Sequence, residues 1–335
     1  MFFKLKWFLP LLLFFTSCGL FQNPLSIESP EWNFSVFAQT FSEHYSLFEQ
    51  KGIDWKAVTN LYRANVTSST ADTELYGILT AMIDPLDDGH VWLNAGSLGF
   101  FSTNNEVTAD FWSFESKAES YISSAVNGDI FNWGRLKDAP GIGYINIDAM
   151  TSGLGGGQSL EPWVRDLDEV IDSLLDCEAV IIDIRHNGGG YAANAEHIAG
   201  RFTGERHLYM KSRIRNGASE TDYTAFKEHW LEPRAPVYPG KVYLITDKFS
   251  ASAAEWMTLM MRTIPGVEHI GTPTHGAMGM VSFHELPNGW IFSTTIGQTY
   301  DSAGISFEGA GIEPAVAITP VQTGDSAIEY VLGLY

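Results

Sequence analysis

The chain has 335 residues, of which 45% are hydrophobic, so it can bury the core of one large globular domain with a small appendage. Acidic residues number 40 against 20 basic ones, and the formal net charge at pH 7 is −20. A surface of this sign repels phosphate backbones, and no Lys/Arg cluster counteracts it, which excludes nucleic acid as an expected partner.

The first residues have the pattern of a bacterial export signal. Two lysines precede an apolar run, Trp7 to Phe15, that is too short to span a bilayer. Phe15-Thr16-Ser17-Cys18 is interpreted as a lipobox, which predicts removal of residues 1–17 and a lipid on Cys18 that anchors the protein to a membrane of the bacterial cell envelope, in the periplasm or at the surface. The alternative is an ordinary signal peptide in which Cys18 has no role. Lipidation would leave Cys177 as the sole thiol, so we expect no internal disulfide.

Residues 18–32 are predicted to be a tether and residues 33–94 a small helical N-terminal domain. Apolar side chains recur there at helical spacing, and the last helix is expected to end near Pro85. The loop that follows, Leu86-Asp87-Asp88-Gly89-His90, places a histidine before a short apolar strand. By itself, His90 is more typical of a hydrogen-bonded core histidine than of a functional one.

Residues 95–140 show only weak alternation and are predicted to be an irregular connecting region. In residues 141–335, apolar strands alternate with helical segments, which predicts an α/β core built as a mixed β-sheet covered by helices. Residues 204–239 interrupt this pattern with a polar stretch that is predicted to be irregular. No dinucleotide-binding glycine motif and no metal-ligand cluster occurs in the sequence, so neither a cofactor nor a metal is expected.

The stretch from Lys241 to Gly279 combines a short apolar strand, a turn of small residues and a helix that begins at Ala253. Ser252 is therefore predicted to lie where a strand passes into a helix. A hydroxyl at this position stands out of the sheet beside the unpaired N–H groups of the helix, which suits a nucleophile. The alternative is that Ser250 or Ser252 merely caps the helix.

A second stretch, Ala179 to Gly190, runs from an all-apolar strand through Asp-Ile-Arg-His-Asn into three glycines. Glycines allow backbone N–H groups to approach a ligand closely, because no Cβ intervenes. Together with Ser-Ala-Ser-Ala-Ala-Glu at 250–255 and Gly-Thr-Pro-Thr-His-Gly at 271–276, this pattern resembles the tail-specific (C-terminal processing) and tricorn-like serine peptidases. Their motifs D-x-R-x-N-x-G-G, S-A-x-E and G-x-x-T-x-G occur here in that order, and the resemblance extends from Asn33 to the C-terminus.

The resemblance implies a core of the crotonase-like or ClpP-like type and a Ser-His-carboxylate peptidase. Ser252 would be the nucleophile and His90 the general base. Glu308 matches the carboxylate of the tricorn-like pattern; the alternatives are a solvated loop charge and the neighbouring Glu313. The connecting region is too short for the PDZ module that many tail-specific proteases insert there.

The same resemblance predicts an oxyanion hole. It would consist of the N–H of Ala253 and one N–H from Gly189 or Gly190. Two positions depart from the family pattern. The lysine of the common Ser-Lys dyad is replaced by Ala277, and Lys248 lies too close to Ser252 in the chain to be an obvious substitute. The serine that precedes the base in tricorn-like members is replaced by Gly89, so this member of the tetrad is missing or is supplied by another residue, for which Asp88 is the candidate.

These observations predict an exported, lipid-anchored serine endopeptidase that cleaves peptide or protein substrates through an acyl-enzyme on Ser252. A second interpretation is a non-catalytic relative that binds a peptide or an apolar ligand in the same cleft, although such a protein has no need of nucleophile, base, carboxylate and glycine turn together. A third is an esterase, which the absence of G-x-S-x-G around Ser252 disfavours.

Overall fold

The structure, a computed structural model, describes residues 28–104, 117–153, 160–217, 219–321 and 323–335. The predicted signal peptide, Cys18 and most of the predicted tether lie outside these ranges. Within them, no helix has both the length and the apolar character needed to cross a membrane.

Helices form the N-terminal domain, as the periodicity predicts, and both helices and strands follow. The helices are α1 (Pro30–His44), α2 (Phe48–Lys51), α3 (Trp55–Arg63), α4 (Asp72–Ile83), α5 (Trp163–Ser173), α6 (Ala192–Gly200), α7 (Ala253–Arg262) and α8 (Ser326–Leu332). The strands are β1 (Trp92–Asn94), β2 (Phe100–Ser102), β3 (Ile122–Asn127), β4 (Phe131–Leu136), β5 (Ile142–Ile147), β6 (Ala179–Asp183), β7 (His207–Ile214), β8 (Lys227–Leu231), β9 (Lys241–Thr246), β10 (Val267–Gly271), β11 (Val281–Glu285), β12 (Ile291–Thr295), β13 (Gly297–Asp301) and β14 (Val316–Ala317).

The first helix starts earlier than predicted. The side chain of Ser29 accepts a hydrogen bond from the N–H of Trp32, and Pro30 occupies the first turn, where its missing N–H costs nothing. Helix α1 therefore begins inside the stretch that the sequence assigned to the tether.

A seven-stranded mixed sheet forms the core, with the strand order β14-β10-β9-β6-β5-β4-β3. The strands from β14 to β5 run parallel, and β4 and β3 are antiparallel. Strand β6 is buried at every position, which explains the apolar run that precedes its last residue, Asp183. On one face, Ile182 and Leu244 pack in a core with residues of α5, α6 and α7, and on the other Ile181 and Tyr243 pack with residues of α8. The predicted helix-covered mixed sheet is confirmed.

Two regions that were predicted to be irregular contain strands. Strands β3 and β4 extend the core sheet beyond β5, so the core begins before Gly141. Strand β7 pairs with β8 and with β13 in a three-stranded antiparallel sheet. Buried and half-buried positions do not alternate regularly along β7, so the sequence carries no clear strand period there.

The N-terminal domain and the core share a third sheet, with the antiparallel order β11-β12-β1-β2. Leu93 on β1 pairs with Phe292 on β12, and the Phe292 ring packs against that of Phe37 with centroids 4.8 Å apart. The boundary predicted at residue 94 therefore does not separate two independent units. The shared sheet fixes the loop that carries His90 against the core.

Candidate active site

Ser252 lies at the sharp turn between β9 and α7, as the sequence predicts. Its backbone angles are φ 56° and ψ −119°, and a positive φ is rare for a residue other than glycine and costs free energy. Strained strand-to-helix turns of this kind expose the nucleophilic serine in α/β-hydrolases. Ser252 is half-buried, and in the described part of the chain its side chain makes no capping hydrogen bond, so helix capping does not occupy the hydroxyl.

The buried carboxylate of Glu255 holds this turn, a role that the sequence analysis did not assign. Its Oε2 accepts hydrogen bonds from the N–H groups of Ser252 at 3.1 Å and Ala277 at 2.9 Å. Its Oε1 accepts from the N–H of Gly276 and the hydroxyl of Thr274, both at 2.7 Å. Burial raises the pKa of Glu255 to about 7, although these four hydrogen bonds lower it. The sequence feature that could have indicated this role is the position of Glu255, an acidic residue three positions after the helix N-cap.

Replacing Glu255 with Gln should loosen the turn. An amide keeps one acceptor oxygen and presents an NH₂ group to two of the four donors, and leaving buried donors unpaired costs about 1–3 kcal/mol each. We expect the free energy of unfolding to fall by about 2–4 kcal/mol in urea denaturation, and the reaction of Ser252 with a fluorophosphonate to slow. The matched control is Glu285→Gln at an exposed glutamate. Wild-type stability and labelling in Glu255→Gln would contradict the assigned role.

The glycine turn after β6 lies directly against Ser252. A Cβ on Gly189 would stand 2.6 Å from the Cβ of Ser252 and 2.9 Å from the nitrogen of Ala253, so only glycine fits. The N–H of Gly189 already donates to Oδ1 of Asn187 at 2.9 Å. The N–H of Ala253 has no partner within its helix, and among the described residues that of Gly190 takes part in no hydrogen bond. These two N–H groups are the available pair for an oxyanion.

Asn187 connects the glycine turn to the nucleophile turn, and the sequence analysis gave it no role beyond its place in the motif. Its side-chain amide donates to the carbonyl oxygen of Ile147 at 2.9 Å. Its own carbonyl oxygen accepts from the N–H of Ala251, also at 2.9 Å. The side chain and the backbone of this asparagine therefore set the separation between the two turns.

The hub loop, residues 275–279, contacts both the turn of Ser252 and the residue before His90. Ser252 donates its N–H to the carbonyl oxygen of Ala277 at 3.1 Å. The residue before the base, Gly89, packs against the same loop, since a Cβ there would lie 3.2 Å from the Cβ of Ala277. The turns that carry Ser252 and His90 thus meet on one loop, although they lie far apart in the sequence.

Both departures from the family pattern lie at this contact. A Cβ on Gly89 would stand 2.9 Å from Cε1 of His275, so the His275 ring fills the space that a serine side chain would need. Ala277 is 2% exposed, and its Cβ packs against the turn of Gly89. The sequence analysis missed His275, because no local pattern marks a residue that matters only through a tertiary contact.

His90 has the environment of a neutral base. Burial lowers the pKa of His90 below its ordinary range, the Asp88 carboxylate raises it, and the nearby His275 lowers it. Asp88 accepts the backbone N–H of His90 at 2.8 Å and the hydroxyl of Thr295 at 2.7 Å. Among the described residues, Nδ1 of His90 has no hydrogen-bond partner, and no hydrogen bond joins His90 to the Ser252 hydroxyl. Such bonds often tighten only when substrate binds.

Glu308 is attached to the hub loop. Its Oε2 accepts from the N–H groups of Met278 and Gly279, each at 3.0 Å. Burial, and then the neighbouring carboxylates, that of Asp88 first, raise the pKa of Glu308 well above its ordinary range. Glu308 therefore retains its proton to higher pH than an ordinary glutamate does. Glu313, the rival in the same loop, is exposed to solvent.

A cavity of about 770 Å³ opens on the other side of the nucleophile turn, at the carboxyl ends of β9 and β10. Its lining includes Arg185, Asp247 and Phe249 but none of Ser252, His90 and Glu308. In the part of the chain that the structure describes, no group of three or more His, Cys, Asp or Glu side chains is arranged to hold a metal ion.

Comparison with known proteins places this site in a family context. The model of peptidase family S41 matches residues 141–318. The carboxy-terminal processing protease CtpB of Bacillus subtilis (strain 168) is 25% identical over 177 residues, 53% of this chain, and the match spans only 34% of that relative's length.

Solved structures share the fold over most of the chain. A crystal structure from Parabacteroides merdae ATCC 43184, described as that of a peptidase, superposes with a TM-score of 0.78 at 27% identity, over 91% of this chain and 96% of that one. Mature CPAF complexed with lactacystin superposes with a TM-score of 0.68 over 92% of this chain and 97% of that one. At 11% identity, the second likeness concerns the fold alone.

Proposed function

The chain belongs to peptidase family S41, whose members are serine peptidases, and from this premise we propose that it hydrolyses peptide bonds through an acyl-enzyme on Ser252. The Ser252 oxygen attacks the carbonyl carbon of the scissile bond, and His90 takes the hydroxyl proton. The N–H groups of Ala253 and Gly190 stabilise the oxyanion. His90 returns its proton to the leaving amine, and water then cleaves the ester by the same route.

The observation that carries this proposal is the nucleophile turn. A serine held at a positive φ, with its hydroxyl left out of the helix cap, lies between a glycine turn and the loop that contacts Gly89, the residue before His90. Strain of this kind persists only where the surroundings impose it, and Glu255 and Asn187 impose it here. A fluorophosphonate probe tests the proposal, because it reacts only with an activated serine. Absence of labelling in folded wild-type protein would contradict the peptidase and leave the cleft as a binding site.

The carboxylate that acts on His90 can be identified from the pH profile of labelling. Because burial lowers the pKa of His90, its neutral form persists below the ordinary value of about 6.5. The labelling rate should therefore decline with an apparent pKa below about 6.5 as the pH falls. We infer that Asp88 is the carboxylate concerned, so Asp88→Asn should move this decline to lower pH still. Glu308→Gln, which keeps an acceptor for Met278 and Gly279, should move it less.

The opposite result would restore the assignment that the resemblance implies. If Glu308→Gln shifts the acid limb or abolishes labelling while Asp88→Asn does neither, Glu308 is the orienting carboxylate. Melting temperatures of both variants control for folding, since Asp88 also holds Thr295.

We propose further that the protein is exported and anchored by a lipid on Cys18. The support is the lysine-flanked apolar run and the Phe15-Thr16-Ser17-Cys18 sequence. In a bacterial host, the mature protein should partition with membranes and carry an acylated N-terminal cysteine by mass spectrometry. The Cys18→Ser variant should lose that modification. An unmodified N-terminus in the wild type would contradict the anchor.

A further inference from the structure

The outer face of the four-stranded sheet carries exposed aromatic side chains. Phe283 on β11 is 65% exposed and Phe100 on β2 is 58% exposed. Trp92 lies between them, with ring centroids 5.8 Å from Phe283 and 5.6 Å from Phe100. Ile291 on β12 is 44% exposed. Single exposed apolar residues are ordinary on protein surfaces, but a contiguous group marks an interaction site. We call these four residues the aromatic face.

The aromatic face lies on a sheet whose strand β1 begins two residues after His90. Side chains alternate along a strand, and Val91 and Leu93 are fully buried in the core of the N-terminal domain. Trp92 therefore faces the opposite side, and His90 lies in the turn two residues before it. Ser293 holds them in register, because its hydroxyl donates to the carbonyl oxygen of His90 and accepts from the N–H of Trp92.

The pairing divides the aromatic face into two rows. Trp92 pairs with Ser102, and Phe283 pairs with Ser293, which puts both aromatic rings in the row nearer the base. The second row is centred on Asn94, two residues after Trp92 on β1. Phe100 on β2 and Ile291 on β12 both pair with this residue. With a rise of about 3.4 Å per residue, the two rows lie about 7 Å apart along β1, and the first row begins two residues after His90.

We propose that the aromatic face binds aromatic or large aliphatic side chains of an extended peptide substrate, at the second and fourth residues from the scissile bond on one side. This rests on the proposed function, since it names the substrate class of that site. An extended peptide has the same rise and the same two-residue alternation as the sheet, so every second side chain meets a row. Because β1 begins two residues after His90, the proposed base, a peptide substrate is favoured over a second copy of the chain as the occupant.

Cleavage of a randomised fluorogenic peptide library tests the proposal. Sequencing the products should show aromatic and large aliphatic residues enriched two and four positions from the cut. Because aromatic pairs add affinity beyond the area that they bury, Phe100→Gln/Phe283→Gln should reduce the preference about tenfold. Leu61→Gln, at a residue of 68% exposure on α3, is the matched control and should leave it unchanged. An unchanged preference in the double variant would overturn the proposal.

Two further measurements separate this inference from the proposed function. The rate of fluorophosphonate labelling reports Ser252 and His90 without an extended substrate, and it should be the same in the double variant as in wild type. If the wild-type protein neither reacts with the fluorophosphonate nor cleaves peptides, the aromatic face can still be tested by calorimetric measurement of peptide binding to the Ser252→Ala variant. The probe is a ten-residue Gly/Ser peptide with two phenylalanines at alternate positions, and its analogue with serine in their place is the reference.

Tighter binding of the phenylalanine peptide, lost in the double variant, would support the face even without catalysis. Equal binding of the two peptides, or no binding of either, would overturn it. Light scattering measures the oligomeric state and so tests whether a second copy of the chain binds the aromatic face instead. A wild-type dimer that the double variant converts to monomer would assign the face to a second copy and also overturn the proposal.

Discussion

Replacing Ser252 with Ala is expected to abolish fluorophosphonate labelling and to reduce peptide hydrolysis by about 10⁴–10⁶-fold. The hydroxyl is the group that forms the acyl-enzyme, and no other side chain in the mechanism substitutes for it. Alanine keeps the Cβ and therefore the strained backbone at φ 56°, so the melting temperature should change little. Labelling assays and urea denaturation of the same preparations give both quantities.

Ser250 provides the matched control two residues away. Its hydroxyl is fully buried, donates to the carbonyl oxygen of Ile184 at 2.8 Å and accepts from the N–H of Asp247 at 3.0 Å. Ser250→Ala should therefore label but lose about 1–3 kcal/mol of stability. Ser252→Gly should be inactive yet more stable than wild type, because glycine adopts a positive φ without strain. Activity retained in Ser252→Ala would eliminate this serine as the nucleophile.

Replacing His90 with Ala should slow labelling by about 10²–10⁴-fold, the usual contribution of a general base. The acid limb attributed to His90 should disappear from what remains of the labelling rate. Because the substitution leaves a space where the imidazole was, added imidazole should restore part of the rate, a response that a purely structural defect would not give.

His44→Ala is the control for the loss of a histidine, since His44 is exposed and lies at the end of α1. It should label like wild type. His275→Ala distinguishes the two histidines of the site. If His275→Ala abolishes labelling and His90→Ala does not, the base lies on the hub loop and the assignment of His90 is wrong.

Local patterns in the sequence were sufficient for the elements that place the nucleophile. The apolar run at 179–182 predicts a strand buried on both faces, and β6 is one. Small residues between an apolar run and a stretch with helical spacing predict the turn at Ser252. A strand and a helix repeat their side chains at different intervals, so the chain must change direction where one gives way to the other. Three motifs in a fixed order were enough to indicate the family, since each occurs where a strand of the core sheet ends.

Contacts between distant segments decided the rest. Leu93 pairs with Phe292 across almost two hundred positions, and that register fixes both the place of His90 and the side of the sheet that Trp92 occupies. Strands β3 and β4 were missed because their regular structure depends on partners that the local alternation does not reveal. Glu255 acquires its role from four hydrogen-bond donors, which belong to Ser252, Thr274, Gly276 and Ala277. His275 acquires its role from the space that its ring fills beside Gly89. The sequence by itself thus determined the chemistry available at each turn, while the tertiary structure decided which turns meet, because side-chain partners are chosen by packing across the whole fold.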